Sequence, residues 1–220
     1  MTPLALNLLD GLSNRTLRAY ALDCAEHVAV LSDERWMLQT ALSEARGLLM
    51  VLDASAAFEA VSMADLGHQD TLRAMGREQY RTILGAMSDI QSCLQASDLQ
   101  VRPRCEEAIY RTCLSALSAA IRSRPRTYAT SAMQSAISAV WAHQEYGEST
   151  GLEDMEIAWH MGRIEAHRDG RALPPIHDSE SLGALIEGQP MASVEVDDDY
   201  DLQALNRIPP MGWDSILGLD

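Results

Sequence analysis

Three residues near the start of the chain, Asp23, Cys24 and His27, are of the types that make a thiol nucleophile with its base and an orienting carboxylate. Helical spacing argues against that chemistry. Cys24 falls on an apolar stripe, whereas Asp23 and His27, one turn apart, fall off it. The thiol is therefore expected in the core and the other two as a surface acid–base pair. A second set, Glu153, Glu156, His160, Arg163 and His167, recurs at intervals of three and four and forms one polar stripe on a single helix. A Glu and a His one turn apart can hold a metal when a facing helix supplies further ligands, and His143 on the preceding segment is the obvious donor. Paired Glu-x-x-His motifs on separate helices are missing, however, and Arg163 would place a cation in the site. The stripe reads as a solvated or salt-bridged face, with no metal and no cofactor assigned. A third set is the acidic run Asp197, Asp198, Asp199 and Asp201 around Tyr200, with Trp213 beyond it. Such a run is either simply solvated or shaped to plug a basic cleft, and it lacks the spacing of a calcium loop. Phosphate-binding glycine loops, G-x-S-x-G elbows and H-E-x-x-H are absent, and a chain with 17 arginines and no lysine has no Schiff-base former. No catalytic residue is assigned, and an enzyme is not expected.

Charge and composition narrow the remaining function classes. The chain has 220 residues, enough to bury a sizeable core in one domain or in one domain with a tail, and 47% of them are hydrophobic. The formal net charge is −15 and unevenly divided: residues 1–173 carry 16 Arg against 22 acids, whereas residues 174–220 carry Arg207 alone against 10 acids. That balance opposes nucleic acid and anionic membrane as partners, because both require a basic surface, and it permits steering toward a basic protein. No apolar run is long enough to cross a bilayer, and the start, MTPLALNLLDGL, has neither a basic leader nor an A-x-A site. Cys24, Cys93, Cys105 and Cys113 sit inside helical patterns without C-x-x-C pairing and are expected as buried thiols of a cytoplasmic protein.

The elements that must position these residues are helices. Alanine and leucine abound, β-branched residues are scarce, and only one Phe, Phe58, is present. Ser13 or Asn14 caps a helix whose stripe is Leu17, Tyr20, Ala21, Cys24, Val28 and Leu31. Ser32-Asp33-Glu34 opens a second, with Leu38, Ala41, Leu42, Ala45, Leu48, Leu49 and Leu52 on one face, and the short turn between the two predicts an antiparallel hairpin. Asp53 is read as the cap of a shorter helix to about Ala64, followed by a loop at Gly67-His68 and a long helix over 70–95. Further helices are expected over 103–122, from Pro125 to about Tyr146, and from Thr150 to Asp169 with Gly170 as the stop. The small residues on the stripe Ala129 to Trp141 imply close helix approach, either within the chain or across a homodimer.

Fold class follows: an all-α antiparallel bundle of six or seven main helices over 1–173, and an irregular, acidic, proline-punctuated extension over 174–220. In that extension Trp213, Ile216 and Leu217 have the spacing of a one-turn amphipathic anchor, and they are expected to pack back on the bundle or to meet another protein.

One block resembles a known family. Asn14-Arg15, Ala21, Cys24-Ala25-Glu26-His27-Val28, Asp33-Glu34-Arg35 and Ala41-Leu42-Ser43-Glu44-Ala45-Arg46 resemble the opening of a bacterial family of immunity proteins of polymorphic toxin systems. Ala132 to His143 resembles a later stretch of that family more loosely. The chain departs from the pattern at Trp36-Met37, where the family favours Arg or Pro, and in its long acidic tail. The resemblance implies an all-helical protein that binds a cognate toxin stoichiometrically, and it transfers no catalytic residue. The expectation is thus a non-catalytic immunity-type module that occludes a basic toxin domain. Its candidate contacts are Asp197, Asp198, Asp199, Tyr200, Asp201 and Trp213, then Glu153, Glu156 and His160. The alternative is a helical-bundle metal-binding protein or metalloenzyme using Glu156, His160, His143 and His167.

Overall fold

In a computed structural model the described residues are 8–61, 66–95, 104–144, 152–173 and 176, and the side chains of 55–61, 66–73, 144 and 152–154 are outside that description. They form six long helices and, among the described residues, no strand: α1 Asn14–Ala29, α2 Arg35–Val61, α3 Leu66–Gln95, α4 Arg104–Ile121, α5 Pro125–Gln144 and α6 Leu152–Asp169. The expected all-helical bundle is what the chain builds. No described helix is long and apolar enough to cross a membrane.

Local signals set most of the boundaries. Ser13 holds an extended backbone and its hydroxyl accepts from the Thr16 amide at 3.1 Å, satisfying one of the orphan donors of α1. Gly170 ends α6 at φ +65°, and the Arg171 amide reaches back to the Ala166 carbonyl at 3.0 Å, which is the six-to-one bond of a Schellman stop. Two boundaries differ from expectation. Asp53 does not cap a new helix, because α2 runs on through it and its carboxylate instead takes Arg15 from α1 at 2.7 Å. Nor do Gly67 and His68 make a loop; both belong to the first turn of α3. A cap is a preference of order 1 kcal/mol, which a continuous Ala- and Leu-rich run such as Leu48–Phe58 overrides.

The hairpin of α1 and α2 is antiparallel, as Arg15 opposite Asp53 and Asp23 opposite Arg46 show. Its turn is held from outside. Glu106, in the first turn of α4, accepts from the Ser32 hydroxyl at 2.9 Å and the Asp33 amide at 2.7 Å, while Ser32 Oγ also accepts from the Glu34 amide at 3.1 Å. A buried carboxylate thus supplies acceptors that a bare turn would lack.

Helix α1 is the centre of the bundle and packs against α2, α4, α5 and α6. Tyr20, Ala21, Leu22, Asp23, Cys24, Ala25, Val28 and Ala29 are all completely buried and His27 is 1% exposed, so the middle of the helix is enclosed nearly all round. The most extensive seam joins α4 to α5: Ala116, Ala119 and Ala120 on the one and Ala129, Ala132 and Ala136 on the other are buried, and Ser115 and Ser131 hydrogen-bond across it at 3.0 Å. The alanine stripe of α5 is therefore consumed inside the chain and is not available to a second copy. Cys24, Cys105 and Cys113 are buried and Cys93 half-buried, and none of the four is in a disulfide. Burial pushes Cys105 up to about 12 and Cys24 and Cys113 well up, which keeps these thiols protonated and unreactive.

Candidate functional site

The residues that looked chemically active in the sequence converge, but on each other. Helix α6 lies antiparallel against α1 and turns its charged stripe inward: Glu156 is 4% exposed, His160 2% and Arg163 4%, while Asp23 and His27 on α1 are 0% and 1%. Two expectations are corrected here. Asp23 and His27 are not a surface pair, and the Glu156–His167 stripe is salt-bridged but not solvated. The physical reason is the same for both. A central helix has no solvent side, so whatever polar group it carries must find a protein partner.

The seam has two linked halves. In the first, Asp23 Oδ2 accepts from Arg163 Nε at 2.7 Å and His167 Nε2 at 2.8 Å, and Oδ1 accepts from Arg46 Nη2. Arg46, on α2, also forks onto Glu26 through Nε at 2.7 Å and Nη2 at 3.0 Å, and its Nη1 reaches the Ala19 carbonyl at 3.3 Å. One carboxylate thereby joins three helices. Burial by itself would raise Asp23, but the bonds from His167 and Arg163 and the Arg46 charge outweigh it and hold the carboxyl at about 2.

The second half is a chain of rings and one carboxylate. Glu156 Oε2 takes His27 Nε2 at 2.7 Å, and its Oε1 lies 3.0 Å from His160 Nε2, an ion-pair distance in a contact too bent for a proper hydrogen bond. His160 Nδ1 meets the Tyr20 hydroxyl at 2.8 Å, with Cys24 Sγ 3.9 Å from the same nitrogen. Burial, then the neighbouring Cys24, pushes the Tyr20 hydroxyl well up, so it stays protonated in this contact. His27 is different: its other nitrogen faces the Ile176 carbonyl at 3.3 Å. Both of its partners only accept, so both bonds exist together only when the ring carries two protons. Its stacking on Trp159, 4.0 Å between centroids and 15° between planes, suits a cation over an indole, and the Arg163 guanidinium lies 5.8 Å from the same ring. Three carboxylates (Asp23, Glu26, Glu156) face the guanidiniums of Arg46 and Arg163 and the imidazoles of His27, His160 and His167. Against the desolvation of Glu156, which would raise it, the close approach of His160 and the bond from His27 hold it at about 2.

Such an arrangement can position helices; most of its donors and acceptors are aimed at another side chain or a carbonyl, while Glu156 Oε1, His160 Nε2 and Trp159 Nε1 are buried without a hydrogen-bond partner. The metal-binding alternative loses its ligand set, because Glu156 and His160 are taken up by His27 and Tyr20, and His167 by Asp23. Among the described residues no group of three or more His, Cys, Asp or Glu is arranged to hold a metal ion. His143 is half-buried at the end of α5. Of the expected partner contacts, Glu156 and His160 face inward and cannot meet a partner. Glu153 lies in α6 with its side chain outside the described residues, and Asp197, Asp198, Asp199, Tyr200, Asp201 and Trp213 are outside them entirely. Sequence reasoning missed Arg46, Glu26, Trp159 and Glu106 as members of polar clusters. A usable signal existed for the first three: Leu22, Ala25 and Ala29 lie off the stripe of α1, so apolar residues flank its charges on more than one side, and buried charges require complements from neighbours.

Comparison of the chain with family models, with curated proteins and with solved structures gives no match.

Proposed function

We propose that this chain is a non-catalytic protein-binding module of the immunity type, which neutralises a basic toxin domain by occupying its cleft. The observation that carries the reading is the closed α1–α6 seam: the residues that could have served catalysis are engaged with one another, so recognition falls to the outer surface. That surface is supplied with charge from one end of the chain, where residues 174–220 hold 10 acids and a single Arg207. The acidic run Asp197, Asp198, Asp199 and Asp201, with Tyr200 among them, is the matching feature for a basic cleft, in which complementary charge raises the association rate and selects the partner. The resemblance of the Ser13–Arg46 block to immunity proteins supports the same class.

The test is a rescue experiment. The C-terminal domain of a secreted toxin encoded beside this gene is expressed in a heterologous host, alone and with this chain. The reading expects growth to be restored and a one-to-one complex to be isolated. Replacing the four aspartates of the run by asparagine should slow association by roughly tenfold at low salt, with little difference at high salt. Growth inhibition that this chain leaves untouched would refute it.

A further inference from the structure

Among the described residues Arg18 is a cation without a counter-ion. It lies half-buried on α1, and its Nε is shut off from water without an acceptor. The one hydrogen bond of the guanidinium runs from Nη2 to the Arg122 carbonyl at 3.5 Å, the outer limit of such a contact. Arg46 on α2 shows how a partly buried arginine is held elsewhere in the bundle. Burial disfavours its charge too, but Glu26 and Asp23 more than reverse the effect and raise it. Around Arg18 nothing offsets burial, which lowers the guanidinium. Shortage of acid is not the cause, since the chain holds 32 Asp and Glu against 17 Arg.

The surroundings add positive charge. Arg122 and Arg124 stand exposed in the short turn between α4 and α5, and among the described residues neither meets a carboxylate. The Arg122 guanidinium lies 6.0 Å from the centre of the Tyr128 ring. Tyr80 on α3 is close as well: burial raises its hydroxyl, and the Arg122 charge opposes that shift. The turn leads into α5, whose first helical turn has no acidic residue, so the positive end of the helix dipole lies beside the same arginines. A helix start is stabilised by Asp or Glu, yet here Arg124 and Arg126 flank Pro125, a placement that costs stability. The acids at this end of the bundle are already engaged, Asp10 with Arg126 and Asp53 with Arg15. Positive charge gathered at a helix start, with one guanidinium half-buried and uncompensated, is the arrangement that an anion would complete.

We infer that Arg18 and Arg122, beside the start of α5, form a binding site for a phosphate-type dianion. Two guanidiniums offer forked donors to its oxygens, and their combined charge matches a dianion, where a single carboxylate would leave one cation over. The exposed Arg122 and Arg124 keep the site open to solvent. A polyanion is not the source, because a net charge of −15 opposes an extended nucleic acid or an anionic bilayer, whereas a single small ion meets only the local field. The ligand is therefore inorganic phosphate or the phosphoryl group of a small ester. The inference stands on the corner where α1, α4 and α5 meet, and it holds or fails independently of the proposed function.

The test is an NMR titration of the full chain, followed at the arginine Nε–Hε signals. Inorganic phosphate is added at slightly alkaline pH and compared with sodium chloride at matched ionic strength. The expected result is a saturable shift of the Arg18 Nε–Hε signal with phosphate and none with chloride. Arg122→Gln, at an exposed position, should weaken the binding at least roughly tenfold, the worth of one charge-assisted hydrogen bond. Arg111→Gln, at an exposed position of α4, should leave it unchanged. Glycerol 3-phosphate separates the two sources: tighter binding than inorganic phosphate assigns the site to an ester, weaker binding to the free ion. No saturable shift, an equal response to chloride, or equal effects of Arg122→Gln and Arg111→Gln would each overturn the inference.

Discussion

The α4–α5 seam and the α1–α6 seam solve the same problem with opposite chemistry. The first is rich in small buried side chains, Ala116, Ala119 and Ala120 on α4 and Ala129, Ala132 and Ala136 on α5, and is bridged by the Ser115–Ser131 bond. The second joins two helices through Asp23, His27, Glu156, His160, Arg163 and His167, almost none of it exposed. An alanine seam gains from dispersion and from side chains that lose no rotamer freedom, and it tolerates many registers. A charged seam gains little net stability over an apolar one, because desolvation cancels most of the attraction, but it penalises every register except the one that pairs each group. The contrast assigns α4–α5 to cohesion and α1–α6 to placement.

The comparison breaks hardest at Asp23. Asp23→Ala leaves the Arg163 cation buried without its main acceptor and frees His167 and part of Arg46, and it should cost about 3–5 kcal/mol in urea denaturation. Acid acts on the same seam more gently. Asp23 and Glu156 are both held at about 2 in the folded chain, below their ordinary values, so the stability they contribute is complete above about pH 5 and is lost as pH falls through about 4.5 to 2. Each contributes on the order of 2–3 kcal/mol over that range, and Glu156→Gln should flatten it, read as a shallower fall of Tm between pH 5 and pH 2. On the other seam the weak point is volume, not charge: Ala136→Leu adds methylenes where none fit and should cost about 1–3 kcal/mol, with no change in the acid slope. The smallest effect is expected on the outside, where Arg111→Ala removes an exposed i,i+4 pair with Glu107 and should cost no more than about 0.5 kcal/mol.

The two seams were also unequally legible. The stripe Ala129–Val140 announced itself through small apolar residues at helical spacing, as did the Ser13 cap and the Gly170 stop, because these are local rules. From sequence Asp23 and His27 read as a surface pair, and Glu156 and His160 as part of a solvated or salt-bridged face, since charge in an isolated helix normally faces water. Which side of α6 faces inward depends on what α1 presents, and no window of α6 alone contains that information. The complementarity was present only across the pair: a carboxylate and an imidazole on one helix, an imidazole, a guanidinium and a carboxylate on the other, in antiparallel order. Glu106 lay further out of reach, because its role belongs to a turn more than 70 residues away in sequence, Ser32–Asp33.

The central claim, that the charges of α6 form a specific internal seam with α1, is tested most directly by a double-mutant cycle on Asp23→Ala and Arg163→Ala, with unfolding free energies from urea titration. A direct buried pair predicts non-additivity of about 1.5 kcal/mol or more, the double variant being less damaged than the sum of the single ones. Effects that add to within about 0.5 kcal/mol would contradict the account.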